Sequence, residues 1–447
     1  MLWAQRDGAE RSAGMTRRAW GAVCLAGLAH GCGEGGRNAA RAAAPRTSGT
    51  LLQQAYVWQR AWTPAVATGV RQAAGKVGGL AVLAAEIEWK DGQPRSIMPK
   101  IDVPALKAVG VPVAMAVRIG PWAGPFDATD ARTVQIRAWI AETLAGARKD
   151  GWEPSEWQLD FDAATSKLPG YLTWLRLFRE TVAPLPVSFT ALPHWLTSPA
   201  LRAMAEATGR FVLQVHAVER ARANDPQPLL IDPAAARRWV EQAGSLGVPF
   251  SVALPTYRST VGFNAFGKIV GIDSEGPARA WPAGTRVVSY LSPAAELARL
   301  VADWTTDRPA TLRNLIWYRL PVPGEARNWT WKTLGAVMAG RAPLEKMEIV
   351  REGSNPLDLS LANVGEAELP WPRSVRIQGR NPTVSIEAGD ALTGYEFQHS
   401  ASAPGTAVFH CRGDLPDAFL PPGSRKPLGW IRFTTPTVPD DIAITFP

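Results

Sequence analysis

The run Trp157-Gln158-Leu159-Asp160-Phe161-Asp162 holds the residues best spaced for chemistry. Side chains of a β-strand alternate between faces, so Gln158, Asp160 and Asp162 share one face, opposite Trp157, Leu159 and Phe161. The apolar face suits packing beneath helices. The polar face suits the inside of a closed barrel, near the carboxyl ends of its strands, where catalytic groups of barrel enzymes sit. Neighbouring carboxylates are what acid–base cleavage of a glycosidic bond requires. On a strand, Asp160 and Asp162 would have Cα atoms about 7 Å apart.

The same parity assigns inward positions on other strand-like runs. Val82, Ala84, Glu86 and Glu88 are expected inside, opposite Leu83, Ala85, Ile87 and Trp89. Ala114, Ala116 and Arg118, then Ser188 and Thr190, then Gln214 and His216, join them. So many buried polar groups must pair with one another or face a wet pocket. A pocket of crowded carboxylates would raise their pKa values and give a protonated acid beside an ionised base. The alternative is a polar plug, in which Arg118 simply pairs with Asp160. A metal held by His216, Asp160 and Asp162 has no HxH or HExxH spacing behind it, so neither metal nor cofactor is expected. His216 is expected to be a hydrogen-bonded core histidine sooner than a catalyst.

Asp162 is expected to act as general acid and Asp160 to orient it or stabilise positive charge. Glu86 or Glu88 would be base or nucleophile. Trp58, Arg118, Gln158, Thr190, Gln214, His216, Tyr257, Trp317, Tyr318 and Arg319 are the expected substrate contacts. The aromatic ones, at strand ends, either wall the pocket or close the barrel. The 19 Trp residues serve as packing or as stacking platforms for sugar rings. As pocket groups, Asp160 and Asp162 would contribute little to folding.

These side chains need a scaffold. Eight strand candidates run in order: Ala55–Arg60, Leu80–Trp89, Val111–Ile119, Glu156–Asp162, Pro186–Leu192, Phe211–Ala217, Pro249–Tyr257 and Asn314–Leu320. Helical patterns lie between them, clearest at Thr129–Asp150, Tyr171–Val182, Pro199–Thr208, Asp232–Leu246 and Pro293–Trp304, with a last one at Thr330–Gly340. Asp232-Pro233 and Ser292-Pro293 read as helix starts. This alternation predicts a (β/α)8 barrel over residues 51–345. An open doubly wound sheet is the alternative, disfavoured because no GxGxxG follows the first strand. Residues 258–288 make a long excursion after the seventh strand, with a hairpin near Phe263–Lys268 capping the barrel mouth. From residue 346 to 447, short strands punctuated by Pro and Gly predict a β-sandwich.

Residues 1–31 read as an upstream extension and signal peptide: Met15-Thr16-Arg17-Arg18 precedes an apolar run too short to span a bilayer. It ends at Ala29-His30-Gly31-Cys32, a lipoprotein-like box, so Cys32 is the expected lipidation site. Residues 32–50 would be a flexible tether. The location implied is the bacterial cell envelope, outer membrane or periplasm, with a lipid anchor as the contact with the membrane. The net charge of +8 owes much to arginines before residue 50, and no later basic stripe appears, so nucleic acid is not an expected partner. Three cysteines exclude a disulfide framework.

The segment Gln158–Asp162 resembles the fourth strand of family-18 chitinases, which carry Asp-x-Asp-x-Glu with Glu as acid. If Asp160 and Asp162 match the two aspartates, the acid's place is Ala164. With the frame moved by two, Asp162 takes the acid's place. More broadly, Gln158–Asp162, Thr190–Pro193, Leu213–His216, Val252–Tyr257 and Trp317–Pro321 resemble the bacterial domain of unknown function 3142. That resemblance implies an envelope protein with a barrel, reaching into the tail, and supplies no activity. The expected function is a glycoside hydrolase-like envelope lipoprotein acting on a glycan. The alternatives are a non-catalytic glycan-binding protein and an envelope-assembly scaffold.

Overall fold

Eight apolar runs, each ended by a turn or a capped helix, close into one ring. A computed structural model describes residues 44–90, 93–216, 221–226, 228–274, 279–392, 394–413, 418–434 and 441–446. The ring strands are β1 (Leu52–Val57), β2 (Leu80–Lys90), β3 (Val113–Ile119), β4 (Glu156–Phe161), β5 (Val187–Ala191), β6 (Phe211–Gln214), β7 (Phe250–Pro255) and β8 (Leu312–Tyr318). Each pairs in parallel with its neighbours in sequence, and β8 pairs with β1. Helices α1 (Pro64–Arg71), α2 (Val103–Val109), α3 (Ala131–Lys149), α4 (Leu168–Val182), α5 (Pro199–Thr208), α6 (Pro233–Gly244), α7 (Ala294–Thr306) and α8 (Trp331–Met338) follow the strands one by one. The chain is therefore a (β/α)8 barrel followed by a β-sandwich.

Helix starts follow from capping chemistry. Thr63, Asp102, Asp130, Ser198 and Asp232 each accept a hydrogen bond from a first-turn backbone N–H, with Pro in the first turn of α1, α2, α5 and α6. The Asp232-Pro233 start is as expected. At α7 the expected cap is absent: Pro293 is the capping position, and Ser292 Oγ instead donates to the Tyr257 carbonyl at 2.5 Å. Helices α1 and α2, of eight and seven residues, are not among the helical patterns read from the sequence.

Two layers of core follow from strand alternation. Val82, Val117, Leu159, Phe189, Val252 and Trp317 lie in the layer between barrel and helices. Tyr56, Trp58, Ala81, Leu83, Ala116, Ala253, Ile316 and Tyr318 fill the interior and the mouth. One departure corrects the parity of β2. The register with β3 slips between Leu83 and Ala85, so Ala81 and Leu83 point inside while Val82, Ala84 and Ala85 join the outer layer. A bulge adds one residue and reverses the faces beyond it. Glu86 still points inside because the bulge precedes it.

After β7, strands Ser259–Phe263, Ile269–Asp273 and Arg286–Tyr290 form an antiparallel sheet. Val261, Phe263 and Tyr290 share a core with Tyr257 and Tyr318, which seats this sheet on the mouth. The expected hairpin is present with a third strand added.

The tail forms two four-stranded antiparallel sheets. The first contains Met347–Gly353, Leu357–Asn363, Arg425–Phe433 and Ile386–Ala391, and the second Tyr395–His399, Thr406–Cys411, Ser374–Gly379 and Ile442–Thr445. Leu359, Leu361, Val375, Ile377, Phe409 and Ile431 pack within one core here. The sandwich is tied to the barrel. Arg258 pairs with Glu368 and stacks on Phe419, and Thr333 Oγ1 donates to the Glu366 carbonyl at 2.6 Å.

The tether expected to reach residue 50 ends earlier. Arg46–Thr47 pairs with Arg308–Pro309, and Arg46 bridges Asp307 and Glu241. Cys32 and the signal segment lie outside the described residues.

Candidate functional site

The carboxyl ends of β1 to β5 bring together one charged cluster, with Arg118 of β3 as its hub. Its Nη1 lies 3.0 Å from Asp160 Oδ2, its Nη2 3.6 Å from Asp162 Oδ2 and its Nε 3.8 Å from Glu86 Oε1. Arg60, beyond β1, clamps Glu86 from the other side with bonds of 2.5 and 2.8 Å. Thr190 Oγ1 donates to Asp160 Oδ1 at 2.6 Å, so both Asp160 oxygens have partners. Asp160 is 4% exposed. Asp162, just past the end of β4, keeps 32% of its side chain exposed.

Pairing dominates the electrostatics. Burial opposes the charge on Arg118, but Asp160 and Asp162 more than offset it and hold its pKa above the ordinary value. Burial pushes Glu86 up, and Arg60 followed by Arg118 overcome this, leaving its pKa below the usual range. Glu86 is thus an ionised, doubly paired group. This corrects the expectation that crowding would raise its pKa: the two arginines hold it as an ion-pair partner instead. The guanidinium fills the space between Glu86 and the two aspartates, where a sugar would have to sit for opposed-carboxylate chemistry. Glu88 is half-buried further along β2, and its side chain makes no hydrogen bond or ion pair with other described residues.

Beneath the charged layer lies a neutral one. Tyr56 Oη donates to Gln158 Oε1 at 2.7 Å, and Gln158 Nε2 donates to Ser188 Oγ at 3.2 Å. On the far wall, His216 Nδ1 lies 3.2 Å from the Ala253 carbonyl, so this nitrogen carries the proton. Burial depresses the His216 pKa to about 4, against smaller opposing effects of that carbonyl and of Asp160. The ring is a neutral core imidazole, as the sequence suggested. Among the described residues no group of three His, Cys, Asp or Glu is placed to hold a metal.

Tyr56, Trp58 and Tyr318 pack edge to face, with ring centres 5.2–5.8 Å apart. With Arg118, Asp160, Thr190, Gln214 and His216 they line a cavity of about 10 Å3. That holds one water and no sugar ring. Tyr257 stands behind this wall, against His216 and Tyr318.

Two expected contacts lie elsewhere. Trp317 points outward between barrel and helices, packs on Trp329 and donates to Gln53 Oε1 at 2.7 Å. Alternation requires this, since Ile316 and Tyr318 face inward. Arg319 is buried beneath the mouth-covering sheet, where it pairs with Glu325 and donates to the Ser274 carbonyl. Most of the described tryptophans are packing groups: Trp157, Trp174, Trp195 and Trp317 are fully buried, and Trp62, Trp89, Trp122, Trp139, Trp152, Trp239, Trp304, Trp329 and Trp331 join the same core. Sequence reading missed Tyr56 and Arg60, although both share the parity of Trp58.

Residues 109–323 match DUF3142, a domain of unknown function. The DUF3142 segment runs from the end of α2 past β8. It carries Arg118, Asp160, Asp162, Thr190, His216 and Tyr318, while Tyr56, Trp58, Arg60 and Glu86 precede it. The tail is not part of it: residues 349–434 match DUF8456, another domain of unknown function. No curated protein matches the chain. Among solved structures, the spore cortex-lytic enzyme SleL of Bacillus megaterium is 13% identical, with a TM-score of 0.47, over 66% of this chain and 75% of that one. A chitinase from Chromobacterium violaceum is 15% identical, with a TM-score of 0.42, over 65% of this chain and 99% of that one.

Proposed function

We propose that the carboxyl-end mouth of the barrel binds a glycan of the envelope or surroundings, lying across the rim at Asp162. The observation that carries this reading is the position of Asp162. It is a partly exposed carboxylate just past the end of β4, over a paired polar floor whose hub, Arg118, also lines the small cavity walled by Trp58 and Tyr318. Carboxylates accept hydrogen bonds from sugar hydroxyls, and barrel ligands bind at this face. The floor residues Arg118, Asp160, Glu86 and Thr190 hold the rim in place. The test is a glycan array on wild type and Asp162→Ala, with hits followed by titration. Binding lost in a variant that melts normally supports the reading. Failure of wild type to bind any glycan contradicts it.

Hydrolysis is the second reading, favoured by the same residue. With the frame moved by two, Asp162 occupies the acid's place of the chitinase pattern and Asp160 the supporting aspartate's. Because Glu86 is committed to two arginines, such chemistry would run with a single protein acid and assistance from the substrate. Reducing-end assays on bound glycans would give turnover that Asp162→Asn abolishes. We place the protein in the bacterial envelope with lipid on Cys32. Membrane fractionation of wild type and Cys32→Ser tests this, and equal release of both would count against it.

A further inference from the structure

The amino-end opening of the barrel is built differently from an ordinary barrel floor. Such floors are filled by bulky branched side chains. Here most inward positions that line the opening are small or polar, namely Gln54 on β1, Ala81 on β2, Ala114 on β3, Ser188 on β5, Ser251 on β7 and Asn314 on β8, with Val212 and Ile316 as the branched exceptions. They leave a cavity of about 310 Å3, bottomed by Gln158. This is the lower end of the size range of small-molecule sites. Amides and hydroxyls supply both donors and acceptors, the pattern that recognises a polyhydroxylated molecule. The rim carries excess positive charge. Glu156 is taken by Arg210 at 2.9 Å and by Ser188. Arg313 lines the cavity, and among the described residues it has no carboxylate partner. Nearby Arg308 is buried and bonded to the carbonyls of Gly49, Trp304 and Leu312. Burial and then Arg313 lower the Arg308 pKa, so the positive charge there is not neutralised.

We infer that this cavity binds a small polyhydroxylated anion, its hydroxyls on Gln54, Gln158, Ser188, Ser251 and Asn314 and its anionic group toward Arg313. The site is separate from the mouth and does not depend on the reading given for it. A carboxylate and a phosphate would serve Arg313 equally, so the probes are D-glucuronate, D-glucose 6-phosphate and neutral D-glucose, titrated calorimetrically into the full chain. At least one anion should bind ten-fold or more tightly than glucose. Arg313→Ala should remove that advantage, and Ser251→Leu, which fills the cavity, should abolish binding. Asn314→Ala should weaken binding several-fold, and it decides the matter if Ser251→Leu does not fold. Phe266→Ser, at the exposed turn of the mouth-covering sheet, should leave the affinity unchanged. The inference is overturned if no probe binds at millimolar concentration or if glucose binds as well as the anions. It is also overturned if the cavity variants leave affinity intact.

Discussion

The two ends of the barrel solve the problem of buried polarity in opposite ways. At the carboxyl end, Glu86, Asp160 and Asp162 gather around Arg118, with Arg60 closing the ring, and about 10 Å3 of space is left. At the amino end, uncharged Gln54, Ser188, Ser251 and Asn314 leave about 310 Å3. Ion pairs in a low-dielectric interior must be tight to repay desolvation, and tight pairs consume volume. Neutral amides and hydroxyls can remain facing solvent at little cost. The end richest in apparent catalytic groups is therefore the better filled, and the plainer end is the more open.

Removing the hub should have the largest effect. Arg118→Met leaves Asp160 and Glu86 buried without their shared cation and should destabilise by about 3–5 kcal/mol, read by urea unfolding. A loss below about 1 kcal/mol would mean the cluster is solvated and the contrast between the ends is wrong.

Acid should come next. Folding keeps His216 neutral down to a pKa of about 4, whereas the unfolded chain takes up a proton near 6.5. The unfolded state thus binds more protons between these values, so stability rises with pH there and is lost as pH falls from 6.5 toward 4, by on the order of 3 kcal/mol. Glu86, with its folded pKa depressed, adds a further loss as pH falls below its unfolded value of 4.5. Urea midpoints across this range should show the slope, and His216→Gln should flatten it above pH 5.

Asp160→Asn should cost about 2 kcal/mol, because it weakens charge-assisted bonds to Arg118 and Thr190 that Asn only partly replaces. This reverses the expectation, drawn from the sequence, that Asp160 contributes little to folding. At the other end, Ser251→Leu should change stability by less than about 1 kcal/mol, because filling space offsets the lost hydrogen bond from Asn314 Nδ2. Asp162→Asn, at the exposed rim, should be the mildest, within about 0.5 kcal/mol of wild type. Equal costs for Asp160→Asn and Asp162→Asn would erase the distinction between floor and rim.

Parity made much of this legible. The alternation Gln158–Asp162 placed three polar side chains on the inner face, and the period of strand and helix gave the barrel. What parity could not give was where it breaks. The bulge at Ala84 carries no sequence mark, since Leu83, Ala84 and Ala85 are all apolar and suit either face of the strand. Arg60 was hidden because its partner Glu86 belongs to the neighbouring strand, and the pairing of β1 with β2 brings them together. For the same reason Arg118 was seen as a partner of Asp160 but not as the common partner of three carboxylates. Docking of Arg46 on Asp307 and Glu241 was illegible because it joins residues far apart in the chain. Trp317 was misplaced although parity with Ile316 and Tyr318 sufficed to turn it outward.

In the proposed division of labour Asp162 meets ligand while Asp160 holds the floor. Its most direct test is a paired measurement of glycan affinity and melting temperature for Asp162→Ala and Asp160→Asn, using a glycan identified on the array. Asp162→Ala should lose at least ten-fold in affinity and melt like wild type, whereas Asp160→Asn should melt several degrees lower. Unchanged affinity in Asp162→Ala, with wild type binding the same glycan, would contradict it.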